Sequence, residues 1–352
     1  MTTTRRTFLL GSAAAGAAAS ACGVFAPAIA RAQAYKSEYK LSVVGNRPIP
    51  LSVGAFRWAE LITERSQGRI NVKVYPGSSL VGGDQTREMV AMRQGTIDLL
   101  VSSTINLSVA IKEMNLFSLP FLMPDHAAYD SIINGVPGQM LFKLLEARDS
   151  VPLAWGENGF RELSNSKRPV RTPADMRGLK IRYAAGPIFA EIFTALGANP
   201  TQMSFADLQP ALTTGAVDGQ ENPINLFLAF KMDQLAQKHL TIWNYCADAG
   251  IFHLSKPVWE SFAPADRDIV RLAAFQAANE QLAEARKGLG QGGDDSSLRE
   301  LRARGVEVVA LSAAEKAVFR QATRPVYDKW AQQIGASLVR AAETAVAQQR
   351  KS

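Results

Sequence analysis

The sequence predicts an α/β protein of two lobes, and three observations support this fold class. Alternating apolar residues typical of strands recur between segments with helical periodicity, so β-α-β units follow one another along the chain. Such units build parallel sheets that helices cover on both faces. Without its first 34 residues the chain is still about 320 residues long, which is more than one compact core usually holds.

The N-terminal segment reads as an export signal. Arg5 and Arg6 precede an Ala/Gly-rich apolar stretch, and Ala32-Gln33-Ala34 has the pattern of a cleavage site. We therefore expect twin-arginine export, removal of residues 1–34 and a periplasmic protein. A membrane anchor is the competing interpretation, but the segment is only mildly apolar and reaches prolines and charges too soon. Lipid modification at Cys22 is disfavoured, since no large apolar residue precedes it.

Composition excludes several classes of protein. After cleavage Cys246 is the only cysteine, so no internal disulfide can form and burial of the core must supply the stability. The formal charge of +7 falls to +4 without the three arginines of residues 1–34. Because both signs are mixed and no dense basic run exists, nucleic acid is a poor partner and a small anion is a better one.

The first elements form two successive β-α units. A strand at 39–44 precedes a helix at 51–67, which Gly68 ends, and a strand at 70–74 follows. The next unit has a helix at about 84–94, Gly95 as its end and an apolar strand at 96–101.

A second set of units begins near residue 151. It contains a strand at 179–183 and a helix whose apolar residues from 188 to 196 follow a 3.6-residue period. Ser204 and Asp207 resemble a capping box for a helix at 205–214.

The C-terminal third is mainly helical. One long helix is predicted at 264–287, then a Gly/Asp/Ser-rich loop at 288–297, a strand near 306–310 and terminal helices, one of them kinked at Pro325. We expect one lobe to comprise 35–159 plus about 248–287, and the other 160–247 plus about 288–352.

Two residues are suited to binding a carboxylate. Arg182 lies in an alternating run that predicts a strand, which holds a guanidinium still. Asn222 precedes Pro223, and the proline ring restricts its backbone, so we expect the amide on a rigid turn. Alternative interpretations remain open: Arg182 in a surface or interlobe ion pair, and Asn222 as an ordinary turn former.

An ordered set of motifs carries a resemblance that spans nearly the whole mature chain. It comprises Tyr-Pro at 75–76, Gly-Gly-Asp at 82–84, Gly-Thr-Ile-Asp at 95–98, Leu-Pro-Phe at 119–121, Gly-Phe-Arg at 159–161, Gly-Leu-Lys-Ile-Arg at 178–182, Leu-Gly-Ala-Asn-Pro at 196–200 and Val-Asp-Gly-Gln-Glu-Asn-Pro at 217–223. In this set the chain resembles the DctP-type solute-binding subunits of tripartite ATP-independent periplasmic (TRAP) transporters.

The resemblance implies the two-lobed, type II-like fold of periplasmic solute-binding proteins, with mixed sheets, hinge strands and a long helix that braces both lobes. It implies no cofactor and no metal; the partners would be one small organic anion and the membrane permease subunits. By the same resemblance, Arg182 makes a bidentate ion pair with the ligand carboxylate. Arg161 is a second ligand-facing arginine, Asn222 contacts the carboxylate region, and Phe205 forms an aromatic wall.

One position departs from the sialic-acid binders of that family, because Ser103 stands where they carry a glutamate. Sialic acid is therefore a doubtful ligand. Trp155, Phe160, Tyr183 and Tyr245 are further candidates for lining the cleft, which would suit an aromatic or medium-sized hydroxy acid. For Phe205 and Trp155, a place in the hydrophobic core is an equal alternative.

Enzymes are the competing class of function. The chain has only three histidines and lacks an H-E-x-x-H pair, a G-x-S-x-G elbow and a phosphate-binding loop. A hydrolase that uses scattered carboxylates, or a ligand sensor without a transport role, remains the alternative.

Overall fold

Two mixed β-sheets with helices on their faces make up the protein in a computed structural model that describes residues 35–290 and 293–350. The strands are β1 (Tyr39–Val43), β2 (Val72–Tyr75), β3 (Leu99–Ser103), β4 (Ser150–Phe160), β5 (Glu162–Asn165), β6 (Lys180–Tyr183), β7 (Asn199–Gln202), β8 (Gly219–Asn222), β9 (His239–Ile242), β10 (Ala247–Ser255) and β11 (Glu307–Ala310). This arrangement confirms the predicted α/β class.

The helices include every long one that the sequence predicted. They are α1 (Pro50–Arg65), α2 (Glu88–Arg93), α3 (Thr104–Leu107), α4 (His126–Ile133), α5 (Val136–Glu146), α6 (Pro187–Ala195), α7 (Phe205–Thr214), α8 (Ile224–Ala229), α9 (Lys256–Ser261), α10 (Pro264–Arg286), α11 (Ser296–Ala303), α12 (Ala313–Ile334) and α13 (Ala336–Gln349). None of the helices in the described part of the chain combines the length and apolarity needed to cross a bilayer.

Sheet I has the strand order β2-β1-β3-β10-β4, with parallel pairing of β1 to its two neighbours and antiparallel pairing along β10. Sheet II has the order β11-β9-β5-β8-β6-β7, in which β5 pairs antiparallel with both neighbours. Three connections link the sheets. They are Arg161 between β4 and β5, residues 243–246 between β9 and β10, and the chain that leaves α10.

The long helix α10 covers sheet I and reaches the other sheet at its end. Next to it, Trp58 of α1 donates its indole N–H to the carbonyl of Val270 at 3.1 Å. Gln281 pairs its side-chain amide with the backbone of Glu157 in β4. At the last turn, Asn225 of α8 donates to the carbonyl of Ala285 at 2.5 Å.

Several sequence expectations differ from the structure in detail. The predicted helix at 84–94 is a 3₁₀ turn at Gln85–Arg87 followed by α2. Its start is set by Asp84, whose carboxylate accepts the backbone N–H of Thr86. Pro325 lies inside helix α12, which runs unbroken from Ala313 to Ile334. The predicted export signal, including Cys22, lies outside the described residues.

Candidate functional site

A small cavity lies where residues of both sheets meet. Eight of its lining side chains are polar: Gln85, Ser103, Asn106, Asn158, Arg161, Arg182, Asn222 and Asp248. Four are apolar: Val44, Ala184, Phe205 and Leu226. The structure thus brings together five of the residues singled out in the sequence, Arg182, Arg161, Asn222, Phe205 and Ser103.

Arg182 is a buried cation without a carboxylate in contact. Strand alternation on β6 turns Ile181 and Tyr183 to one face and Arg182 to the other, where its residue is only 1% exposed. Its Nε and Nη2 atoms donate to the carbonyl of Met203 at 3.1 and 2.8 Å, and Nη1 has no partner within residues 35–290 and 293–350. Burial lowers the pKa of Arg182 to about 10, because the nearby charge of Glu221 only partly offsets desolvation.

Arg161 is in the opposite situation, since two carboxylates hold it. It binds Glu221 with a forked pair of contacts, one of them Nη2 to Oε1 at 2.7 Å, and Asp248 with Nη1 to Oδ2 at 3.2 Å. Desolvation alone would lower the pKa of Arg161, but the charges and hydrogen bonds of these partners outweigh it and raise the pKa. The charge of Arg161 is therefore already compensated inside the protein.

Asp248 is the centre of a saturated hydrogen-bond network. Its Oδ1 accepts the hydroxyls of Ser103 at 2.6 Å and Thr104 at 3.3 Å. Its Oδ2 accepts Nδ2 of Asn158 at 2.8 Å and Nη1 of Arg161. With two donors on each oxygen, the carboxylate has little capacity left for a ligand.

Asn222 ends strand β8, so the expectation of an amide on a turn was wrong. Pairing of β8 with β5 places Asn222 opposite Glu162, and this ladder keeps the backbone extended up to Pro223. Its Oδ1 accepts Nη2 of Arg161 at 3.1 Å, and its Nδ2 donates to the side-chain carbonyl of Gln220. The amide is held rigidly, as expected, but by a strand.

Phe205 connects the two sides of the cavity. As the first residue of α7, it has a backbone N–H with no partner inside the helix, and Oε1 of Gln85 accepts it at 3.2 Å. Its ring packs edge-on against Phe230, with 4.7 Å between the ring centroids.

Four residues named as possible lining of the cleft lie outside the cavity lining: Trp155, Phe160, Tyr183 and Tyr245. Trp155 stacks on Phe142 at a centroid distance of 4.7 Å, and Tyr183 faces Phe189 because it shares the core-facing side of β6. Tyr245 is fully buried and donates its hydroxyl to Oε2 of Glu221 at 2.8 Å, so it supports the partner of an arginine. Burial raises the pKa of Tyr245 well above its usual value.

Sequence reasoning missed Gln85, Asn106, Asn158 and Asp248 as lining residues. The absence of an acidic residue at Ser103 was noted, yet the structure puts the carboxylate of Asp248 in contact with the Ser103 hydroxyl. A sequence signal was available for Asn158 and Asp248, because both are polar residues within mainly apolar runs, 151–160 and 247–255.

Comparison with known proteins agrees with the motif resemblance. Residues 44–333 match the family of bacterial extracellular solute-binding proteins, family 7 (DctP). A TRAP periplasmic solute-binding protein from Ralstonia eutropha H16, solved with bound (S)-2-acetolactate, is 54% identical with a TM-score of 0.88, over 89% of this chain and all of that one. Another from Polaromonas sp. JS666, bound to D-erythronate, is 30% identical with a TM-score of 0.80, over 88% of this chain and 98% of its own.

A named relative supports the same family assignment. The C4-dicarboxylate-binding periplasmic protein DctP of Rhodobacter capsulatus is 31% identical over 311 residues, which is 88% of this chain and 91% of the relative. Together, these matches confirm the resemblance that the motifs indicated.

Proposed function

Since the chain belongs to the DctP family of TRAP solute-binding proteins, we propose that it binds a small organic monocarboxylate in this cavity and delivers it to TRAP permease subunits in the membrane. The observation that carries the proposal is the unpartnered Nη1 of Arg182 at the cavity. A buried cation without a counter-charge is costly to the folded protein. A ligand carboxylate would supply the missing partner.

The guanidinium has the donors that this pairing needs. Of its five N–H groups, only two are directed at the carbonyl of Met203. The remaining donors allow a forked pair with a planar carboxylate, which fixes the orientation of the ligand as well as its charge. Asn222 is held beside Arg161 at the same cavity, and we propose that its second amide N–H contacts the carboxylate region.

The charge balance favours a monoanion. Arg161 and Arg182 are the two cations of the lining, and Glu221 and Asp248 both pair with Arg161. Arg182 is thus the single lining cation without a carboxylate partner, and a second ligand carboxylate would have no cation of its own. We therefore propose that Arg161 stabilises the wall of the cavity and that Arg182, not Arg161, pairs with the ligand carboxylate.

The size and the apolar side of the cavity favour a compact, branched ligand. The cavity is small, which favours a ligand of only a few carbon atoms. Val44, Ala184, Phe205 and Leu226 form the apolar part of the lining. We propose a branched monocarboxylate of the size of (S)-2-acetolactate, the compound bound by the relative that is 54% identical.

We propose that sheets I and II are the cores of two lobes, 35–159 plus about 248–287 and 160–247 plus about 288–352, which close on the ligand. The hydrogen bond between Gln85 and the N-terminus of α7 supports this, because it joins the two sides only when they are close together. The proposal includes export to the periplasm, a location typical of such binding proteins, and binding without chemical conversion.

Calorimetry with the mature protein, residues 35–352, tests this function. We expect branched five-carbon monocarboxylates to bind with one-to-one stoichiometry and to be recovered unchanged by NMR after prolonged incubation. Succinate, whose second carboxylate finds no cation, should bind at least about tenfold more weakly. The proposal is abandoned if no monocarboxylate binds, and conversion of the ligand would indicate an enzyme instead.

A further inference from the structure

We infer that Asn158 is a specificity residue whose side-chain carbonyl accepts a hydroxyl of the ligand, so that the site selects hydroxy acids over the matching unsubstituted and oxo acids. This inference rests on the proposed function, since it assumes that a carboxylate is bound at Arg182. It adds the second polar group by which the cavity recognises its ligand.

The orientation of the Asn158 amide follows from its neighbour. Its nitrogen lies 2.8 Å from Oδ2 of Asp248, and a carboxylate oxygen accepts hydrogen bonds but does not donate them. A flipped amide would bring two acceptor oxygens together, so the nitrogen must face Asp248. The Asn158 carbonyl oxygen is consequently turned away from the network.

That carbonyl oxygen is buried and has no hydrogen-bond partner among the described residues. Asn158 is 5% exposed and lines the same cavity as Arg182. Two atoms of the lining residues are therefore buried without a partner in the described part of the chain, the donor Nη1 of Arg182 and the acceptor Oδ1 of Asn158. A carboxylate matches the first, and only a group with an N–H or O–H matches the second.

The chemistry of the ligand decides whether the acceptor is paired. A hydroxyl can donate to Oδ1 of Asn158 and remove the unfavourable buried acceptor. A hydrogen atom at the same carbon leaves it unpaired, and a ketone oxygen sets a second acceptor against it. Discrimination by a site built to pair a hydroxyl is generally stronger than discrimination by shape alone.

The hydrogen-bond network around Asp248 holds the side-chain amide of Asn158 in one orientation. Ser103, Thr104 and Arg161 fix the carboxylate from three sides, and the carboxylate in turn fixes the amide. The acceptor is therefore preorganised before the ligand arrives, which reduces the ordering cost of binding.

Three acids with one carbon skeleton test the inference on the unmodified protein. We expect one enantiomer of 2-hydroxyisovalerate to bind about 10- to 100-fold more tightly than isovalerate, with 2-oxoisovalerate no tighter than isovalerate. In Asn158→Ala the preference for the hydroxy acid should fall to within about threefold, while isovalerate still binds.

Lys180→Met is the control, because Lys180 lies outside the cavity lining and donates to the carbonyl of Gly215, away from Asp248 and Asn158. This variant should keep the hydroxyl preference. Equal binding of the hydroxy and unsubstituted acids by the unmodified protein overturns the inference and leaves the proposed function standing. An unchanged preference in Asn158→Ala would also overturn it, and failure of all three acids, together with acetolactate, to bind would end both.

Discussion

Replacing Arg182 by methionine should change stability and ligand binding in opposite directions. The substitution keeps an unbranched chain in the cavity wall and removes the buried charge. Burial lowers the pKa of Arg182 to about 10, and the difference from the ordinary arginine value corresponds to about 3 kcal/mol against the charged form in the folded protein at pH 7. That penalty disappears in the variant.

The hydrogen bonds to the carbonyl of Met203 offset part of this gain. Two N–H groups of Arg182 are lost there, which costs about 1–2 kcal/mol. We therefore expect the free energy of unfolding of the ligand-free variant to be equal to that of the unmodified protein or up to about 2 kcal/mol higher. Binding should weaken by about 3 kcal/mol or more, at least about 100-fold, because the carboxylate loses its cation.

Urea unfolding of the ligand-free proteins and calorimetric titration with a branched monocarboxylate measure the two quantities separately. Lys180→Met is the matched control, since Lys180 lies on the same strand and donates to the carbonyl of Gly215 outside the cavity. Its ligand affinity should stay within about twofold of normal. Clear destabilisation of Arg182→Met together with unchanged affinity would refute the reasoning and make Arg182 a structural residue.

Three further predictions follow from the other buried groups. Arg161→Met should destabilise the protein by about 3–5 kcal/mol in urea unfolding, because it leaves two buried carboxylates unpaired; a stable variant would contradict that account. Burial raises the pKa of Glu88 to about 7, so this carboxyl holds its proton more tightly in the folded than in the unfolded protein. The resulting contribution to stability is fully present below about pH 4.5 and is lost as the pH rises through 7. At pH 8 the free energy of unfolding of Glu88→Gln, measured in urea, should therefore exceed that of the unmodified protein by up to about 3 kcal/mol, and near pH 4.5 the two should be equal. The same difference at both pH values would disprove the titration of Glu88. Trp155→Ala should lower the free energy of unfolding by about 2–4 kcal/mol, because the stacking on Phe142 is lost, and should leave ligand affinity unchanged. A loss of affinity without a loss of stability would show that Trp155 contacts the ligand.

Local pattern was enough to predict the fold class and the strand position of Arg182. The alternation around Arg182 depends only on the two-residue period of a strand, and the structure places this residue on β6 with its side chain at the cavity. The same period assigns Tyr183 to the opposite face. Its inclusion among the lining residues could have been avoided from the sequence alone.

The pairing of charges could not be predicted, because it depends on contacts between distant parts of the chain. Arg161 is 60 residues from Glu221 and 87 from Asp248. Only the pairing of β5 with β8, and of β4 with β10, brings these groups together. The unpaired carbonyl of Asn158 is likewise a consequence of how Asp248 is surrounded, which no local pattern records.

A crystal structure of the mature protein with a branched monocarboxylate tests the central claim most directly. The account predicts the ligand carboxylate within about 2.7–2.9 Å of Nη1 of Arg182, with Arg161 still bound to Glu221 and Asp248. A carboxylate held by Arg161 with its protein partners displaced, or a ligand that leaves Nη1 of Arg182 without a partner, would contradict it.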